Sequence, residues 1–205
     1  MRQIIYLTLL LLFLASCQYS SQKLQLVEEI IDSQPDSALK ILKEIDYKNE
    51  KSQSEKALYG ILMFKALDKN YLTLDPDSLI NFSITFYQNK KDNEKLGEAL
   101  FYKGRMYNDA YQYENATKLY MLALDNLEGS ENYDLLAKVY SDLGRISVIQ
   151  NEFEKALGKF HKAVFYASKT NNNKNVLKEK INIANVYRFE KKFDKAHLIY
   201  NEVFS

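Results

Sequence analysis

The sequence predicts an all-α protein, a solenoid of about five helix hairpins that follows a cleaved N-terminal segment. Three observations predict it. Only two prolines and six glycines occur in 205 residues, so few positions break a helix. Similar residues recur at a spacing of forty over the C-terminal half. No stretch rich in serine, proline and glycine interrupts the chain after its first apolar run, so one solenoid domain is expected.

The chain opens with Met1-Arg2 and runs into Ile4-Ile5-Tyr6-Leu7-Thr8-Leu9-Leu10-Leu11-Leu12-Phe13-Leu14, too short for a stable membrane span but of signal-peptide length. It closes at Leu14-Ala15-Ser16-Cys17, where small residues precede a cysteine. These four residues resemble the lipobox of bacterial lipoproteins. The resemblance implies a signal peptide over 1–16, diacylglycerol on the Cys17 thiol, an N-acyl chain on its amine, and a short tether over 17–22. An ordinary secretory signal with a free thiol is the plainer alternative. Acyl chains bind a bilayer by about 0.8 kcal/mol per buried methylene, so the chain is expected to be attached to a membrane without spanning it. Gln18-Tyr19-Ser20-Ser21 contains no acid, which favours the cell envelope, at the outer membrane facing the periplasm. Cys17 is the single cysteine, so no intrachain disulfide can form.

The full chain carries 28 basic and 27 acidic residues; removing 1–16 takes away Arg2 and no acid, leaving 27 of each. Without a basic excess, nucleic acid is not an expected partner.

Residues 23–90 read as two degenerate hairpins. Pro35-Asp36-Ser37-Ala38-Leu39 and Pro76-Asp77-Ser78-Leu79-Ile80 lie forty-one apart, each placing proline in the first turn of a helix. The partner helices are expected over about 23–32 and 54–68. Ala38, Leu42 and Ile45 take a spacing of four and three; Leu79, Ser83 and Phe86 do so with serine at the middle place.

Residues 94–205 carry the clear period, as units over about 94–130, 134–170 and 174–205. Gly104, Gly144 and Ala184 lie forty apart. Each is followed by Tyr113, Phe153 or Phe193, then by Ala116, Ala156 or Ala196, then by Tyr120, Phe160 or Tyr200, and last by Ala123, Ala163 or Val203. Small residues let the two helices of a hairpin approach, and the ring one turn on is expected to fill the gap against the next hairpin. The aromatic three residues after the small one is Tyr107 and Tyr187 but Ser147 in the middle unit. This pattern resembles the tetratricopeptide repeat, with six extra residues per unit and with Leu100, Tyr140 and Lys180 at the family's early aromatic place. The resemblance implies a right-handed superhelix whose first helices line a concave groove.

By the same carry-over, groove residues are Glu98, Phe101, Arg105 and Asn108; Lys138, Ser141, Arg145 and Val148; and Lys178, Ile181, Asn185 and Arg188. The candidate binding residues among them are Phe101, Arg105, Asn108, Lys138, Arg145, Lys178, Asn185 and Arg188, a mildly cationic strip suited to an acidic or extended peptide. The implied function is a non-enzymatic scaffold that binds an envelope protein or peptide. The alternative is a carbohydrate- or small-ligand-binding component of an outer-membrane uptake or sensing system.

Catalytic and metal chemistry is not expected. His161 and His197 stand alone, no glycine-rich phosphate loop occurs, and the acids Glu28-Glu29, Asp46 and Glu50 read as a solvated surface. No cofactor is expected beyond the lipid on Cys17. Leu198, Ile199, Val203 and Phe204 on the last helix are expected to show apolar surface, which makes self-association through that helix a further expectation.

Overall fold

The computed structural model describes residues 21–49, 52–73, 77–170 and 172–204. Cys17, the signal peptide, most of the tether, Glu50 and Pro76 lie outside the described residues. Within them run ten helices and no strand. They are α1 (21–30), α2 (Pro35–Lys43), α3 (Gln53–Lys69), α4 (Asp77–Lys90), α5 (Asn93–Asp109), α6 (Tyr113–Asn126), α7 (Tyr133–Ile149), α8 (Phe153–Ala167), α9 (Asn173–Phe189) and α10 (Phe193–Phe204). They gather into two compact units, one ending at Met106 and one starting at Tyr107, so the division falls inside α5.

Helix starts follow from side chains that accept otherwise unpaired N–H groups. Ser52 takes the Glu55 N–H at 3.3 Å, Asp92 the Lys95 N–H at 3.1 Å and Asn132 the Leu135 N–H at 3.2 Å. Pro35 opens α2, where its missing N–H costs nothing. Helix stops are less expected. Tyr71, Tyr111, Asn151 and Lys191, each forty from the next, take φ of 55°, 60°, 59° and 60°. At each stop the N–H of the following residue returns to a carbonyl five residues back: Leu72 to Leu67, Gln112 to Tyr107, Glu152 to Ser147 and Lys192 to Tyr187, at 2.8–3.0 Å. This is the Schellman closure, made here without glycine.

Within the first unit α2 packs on α3 and α3 on α4. A Cβ at Gly60 would strike the Ser83 hydroxyl, which donates instead to the Ala57 carbonyl at 2.8 Å. Within the second unit each helix from α6 to α10 packs on the next. There a Cβ at Gly144 would lie 2.7 Å from the Phe160 ring, so glycine sets how closely α7 and α8 cross. Ser83 and Phe160 thus each lie opposite a first-helix glycine, although Gly60 stands four residues earlier in the forty-residue register than Gly144. Ala156, Leu157 and Phe160 of α8 and Ile183 and Val186 of α9 form one buried cluster, against which Val148, Tyr187 and Ile199 pack. Neither helix of a pair buries its apolar face alone, which is why the hairpins stack.

Several tyrosines also serve packing. Tyr166 stacks on Tyr140 at 5.5 Å and on Tyr133 at 6.4 Å, and the Lys162 ammonium lies 5.0 Å from the Tyr140 ring.

Candidate functional site

In the first unit, charges on successive helices neutralise one another. Asp32, just after α1, pairs with Lys65 at 3.0 Å and Lys69 at 2.9 Å on α3. Burial alone would raise its carboxyl, but the Lys69 and Lys65 ammonium groups outweigh it and hold the pKa at about 2. Glu28 on α1 reaches Lys95 on α5 at 3.0 Å, and Asp68 on α3 takes Nε and Nη2 of Arg105 at 2.9 and 2.6 Å. Burial opposes the charge on Lys95, yet Glu98 and Glu28 raise its pKa on balance.

In the second unit, side chains of α7 and α9 meet directly. The Asn175 amide donates to Asp134 at 3.1 Å, and the Ser141 hydroxyl donates to the Glu179 carboxylate, 2.9 Å from Oε2. Glu179 is 4% exposed and also accepts from Asn182 at 2.8 Å. These contacts set the two helices side by side and rigid, because a buried carboxylate demands donors. Beside them Arg145 is exposed on α7, with only a stretched 3.6 Å approach to Asp142. Lys178 and Arg188 are exposed on α9, Arg188 lying 5.2 Å from the Phe189 ring.

The predicted groove residues divide accordingly. Phe101 is corrected: it is 2% exposed and packs edge-on against Tyr102, so it belongs to the core and offers no surface to a partner. Arg105 is bound to Asp68, Lys138 to Asp134 at 2.6 Å, and Asn185 accepts from the Tyr200 hydroxyl at 2.7 Å. Asn108 is half-buried. Ser141 is buried and Val148 packs on the core cluster, so both fall inside the wall. Arg145, Lys178 and Arg188 remain as exposed cations on adjoining helices.

A register argument explains the contrast. Lys65, Arg105 and Arg145 are forty apart, and the first two meet an acid from the preceding hairpin, Asp32 in the turn after α1 and Asp68 on α3. Forty residues after Asp68 stands Asn108, so the place that pairs with Arg105 holds no acid for Arg145.

Sequence reasoning missed the polar residues set in apolar positions. Glu179 stands at the register of Ala99 and Val139, which are fully buried. Asp142 accepts from the Tyr120 hydroxyl at 3.3 Å. Comparing the three units place by place would have flagged Glu179, because an acid there needs a donor on the helix before it.

On the last helix, Leu198 is 68% and Phe204 74% exposed. Ile199 and Val203 are half-buried, which corrects their expected exposure, and Ile199 packs on the α8–α9 cluster. The first unit also holds an open hollow of about 610 Å³ between α2 and the end of α3, lined by Leu39 and Leu72 with Asp36, Lys40, Lys43 and Glu44. Among the described residues no group of three or more His, Cys, Asp or Glu is arranged to hold a metal, and no helix is long and apolar enough to cross a membrane.

No protein-family model matches the chain, and no curated protein does. Solved structures do match. A putative kinesin light chain of Podosopora anserina with nearly identical TPR-like repeats superposes with a TM-score of 0.63 at 14% identity, covering 91% of this chain and 94% of that one. BtubC (BKLC) from P. vanneervenii gives 0.62 at 13%, covering 91% and 87%. NprR, in complex with its cognate peptide NprX, gives 0.54 at 15%, covering 90% of this chain and 66% of that one. At these identities the likeness concerns the fold, and the fold is tetratricopeptide-like and all-helical.

Proposed function

We propose that the chain is a non-enzymatic docking protein of the cell envelope, which takes an acidic, extended segment of a protein partner along α7 and α9. One observation carries this reading: Arg145, Lys178 and Arg188 are exposed on two helices that the Ser141–Glu179 and Asp134–Asn175 bonds hold side by side. The cations at the matching surface of the first unit already have carboxylate partners. Three cations on one wall can meet a carboxylate-bearing strand together, each exposed charge pair adding about 0.2–1 kcal/mol. The similarity in fold to NprR, solved with a bound peptide, supports the reading. The same proposal places the chain on the periplasmic face of the outer membrane through lipids on Cys17.

The test is cross-linking and capture from intact cells with the full, lipidated chain, beside a variant carrying Arg145→Glu, Lys178→Glu and Arg188→Glu. Wild type is expected to capture a defined set of envelope proteins, at least tenfold depleted with the variant and weakened by salt, which screens exposed charges. Equal capture by both proteins would remove the α7–α9 surface from the proposal.

A further inference from the structure

The turn from α9 to α10 departs in composition from the turns that precede it in register. The places from Asn108 to Asn115, from Val148 to Lys155 and from Arg188 to Lys195 correspond, forty apart. The charges of the first stretch are Asp109 and Glu114, and those of the second Glu152, Glu154 and Lys155. The third reads Arg188-Phe189-Glu190-Lys191-Lys192-Phe193-Asp194-Lys195, so it alone carries more cations than acids, with two phenyl rings set among them. Phe189 is 53% and Phe193 62% exposed; Ile149, at the register of Phe189, is 52% exposed, so this place holds its apolar side chain outward in both turns. Lys191, Lys192 and Lys195 are exposed as well. Lys192 pairs with Glu190 at 2.8 Å, whereas Lys191 and Lys195 enter no ion pair among the described residues. The backbone of the turn is closed on itself: the N–H groups of Glu190, Lys191 and Lys192 donate to the carbonyls of Val186, Arg188 and Tyr187 at 2.8–3.0 Å.

We propose that, in a chain held at a bilayer by lipid on Cys17, the reading on which this inference rests, the α9–α10 turn lies against the membrane and binds anionic phospholipid headgroups. Phenyl rings gain by entering the boundary between headgroups and acyl chains, while lysine stems run along that boundary and leave their ammonium groups with the phosphates. A negative surface draws in each nearby basic residue, and the excess of cations in this turn has the sign that such a surface selects. The corresponding stretches at Asp109 and Glu114 and at Glu152 and Glu154 carry more acids than cations and would be repelled. Because the N–H groups of Glu190, Lys191 and Lys192 are already bonded within the turn, its entry into the headgroup layer leaves none of the three without an acceptor. Neither Lys191 nor Lys195 is among the cations of the α7–α9 wall, so the membrane contact and the peptide-docking surface are tested separately.

The chain contains no tryptophan, so Phe189→Trp introduces a single fluorescent reporter at the turn. Phe165→Trp is the comparison: Phe165 is also exposed, and it stands about 18 Å along α8 from Phe153 at that helix's start. Each lipidated chain is reconstituted into phosphatidylcholine vesicles with about 30% phosphatidylglycerol, with or without bromine on the upper part of the acyl chains. Bromine is expected to lower the emission of the Phe189→Trp chain about twofold or more and that of the Phe165→Trp chain by less than about a fifth. Adding Lys191→Glu and Lys195→Glu to the Phe189→Trp chain should reduce its quenching to the comparison level while flotation with the vesicles is unchanged, because the lipid on Cys17 still holds the chain. A floating Phe189→Trp chain that is quenched no more than the comparison, or quenching that ignores the charge reversal, overturns the proposal. So does emission that shifts with protein concentration in the absence of vesicles, which would assign the turn to a contact between copies of the chain. Failure to float counts against the lipid on Cys17 instead; coupling that single thiol to a maleimide-bearing phospholipid then supplies the tether, and the same quenching comparison decides for the turn.

Discussion

Single atoms decide the closest contacts. The methyl group of Gly144→Ala would stand 2.7 Å from a Phe160 ring that is 2% exposed and has nowhere to move. That substitution is expected to cost about 1–3 kcal/mol by overpacking. Gly158, by contrast, is exposed in the middle of α8 and a Cβ there meets nothing within 4 Å. Gly158→Ala should stabilise the chain by about 0.5–1 kcal/mol, because alanine loses less backbone freedom in a helix. Thermal melting followed by circular dichroism checks the pair, and shifts of the same sign would undo the crossing argument. Gly144 was legible because it recurs in register with Gly104 and Ala184. Phe101 was not, because a first-helix position read as groove or core differs only by which neighbour covers it.

At the scale of elements, ion pairs tie first helices together where the register provides an acid. Asp32 has a folded pKa of about 2, below its unfolded value of about 3.8. Its stabilising effect is therefore fully present above about pH 4 and is lost as pH falls through about 2. Its side chain is 60% exposed, so after solvent screening the contribution is about 1 kcal/mol or less. Comparing Asp32→Asn with wild type in urea at pH 7, 4 and 2 should show a gap that closes toward pH 2. A gap of constant size would mean that charge is not its source. Helix ends were only partly legible at this scale. The polar breaks near Asp92, Gly129 and Asn172 mark the connections after α4, α6 and α8. The left-handed stops at Tyr71, Tyr111 and Lys191 carried no glycine signal, because the i to i−5 bonds and the packed hairpins hold a backbone form that the residue type alone disfavours.

For the whole molecule, Cys17 makes the sharpest prediction. Wild-type protein expressed in an envelope-bearing bacterium should partition into the detergent phase and take up labelled palmitate, and Cys17→Ser should do neither. Labelling of the Cys17→Ser chain would end the lipid proposal while leaving the docking surface untouched. By itself the sequence determined that the chain is helical, where most helices lie and which residues meet at the hairpin crossings. Small and aromatic residues at fixed spacing have one good way to pack, so the pattern is local and repeated. Only the tertiary structure decided which charges remain available to a partner. Arg105 and Arg145 share one register and one residue type, yet Asp68 occupies the first and nothing comparable meets the second. That difference depends on side chains tens of residues away and on the distance between helices, which a repeat pattern does not encode.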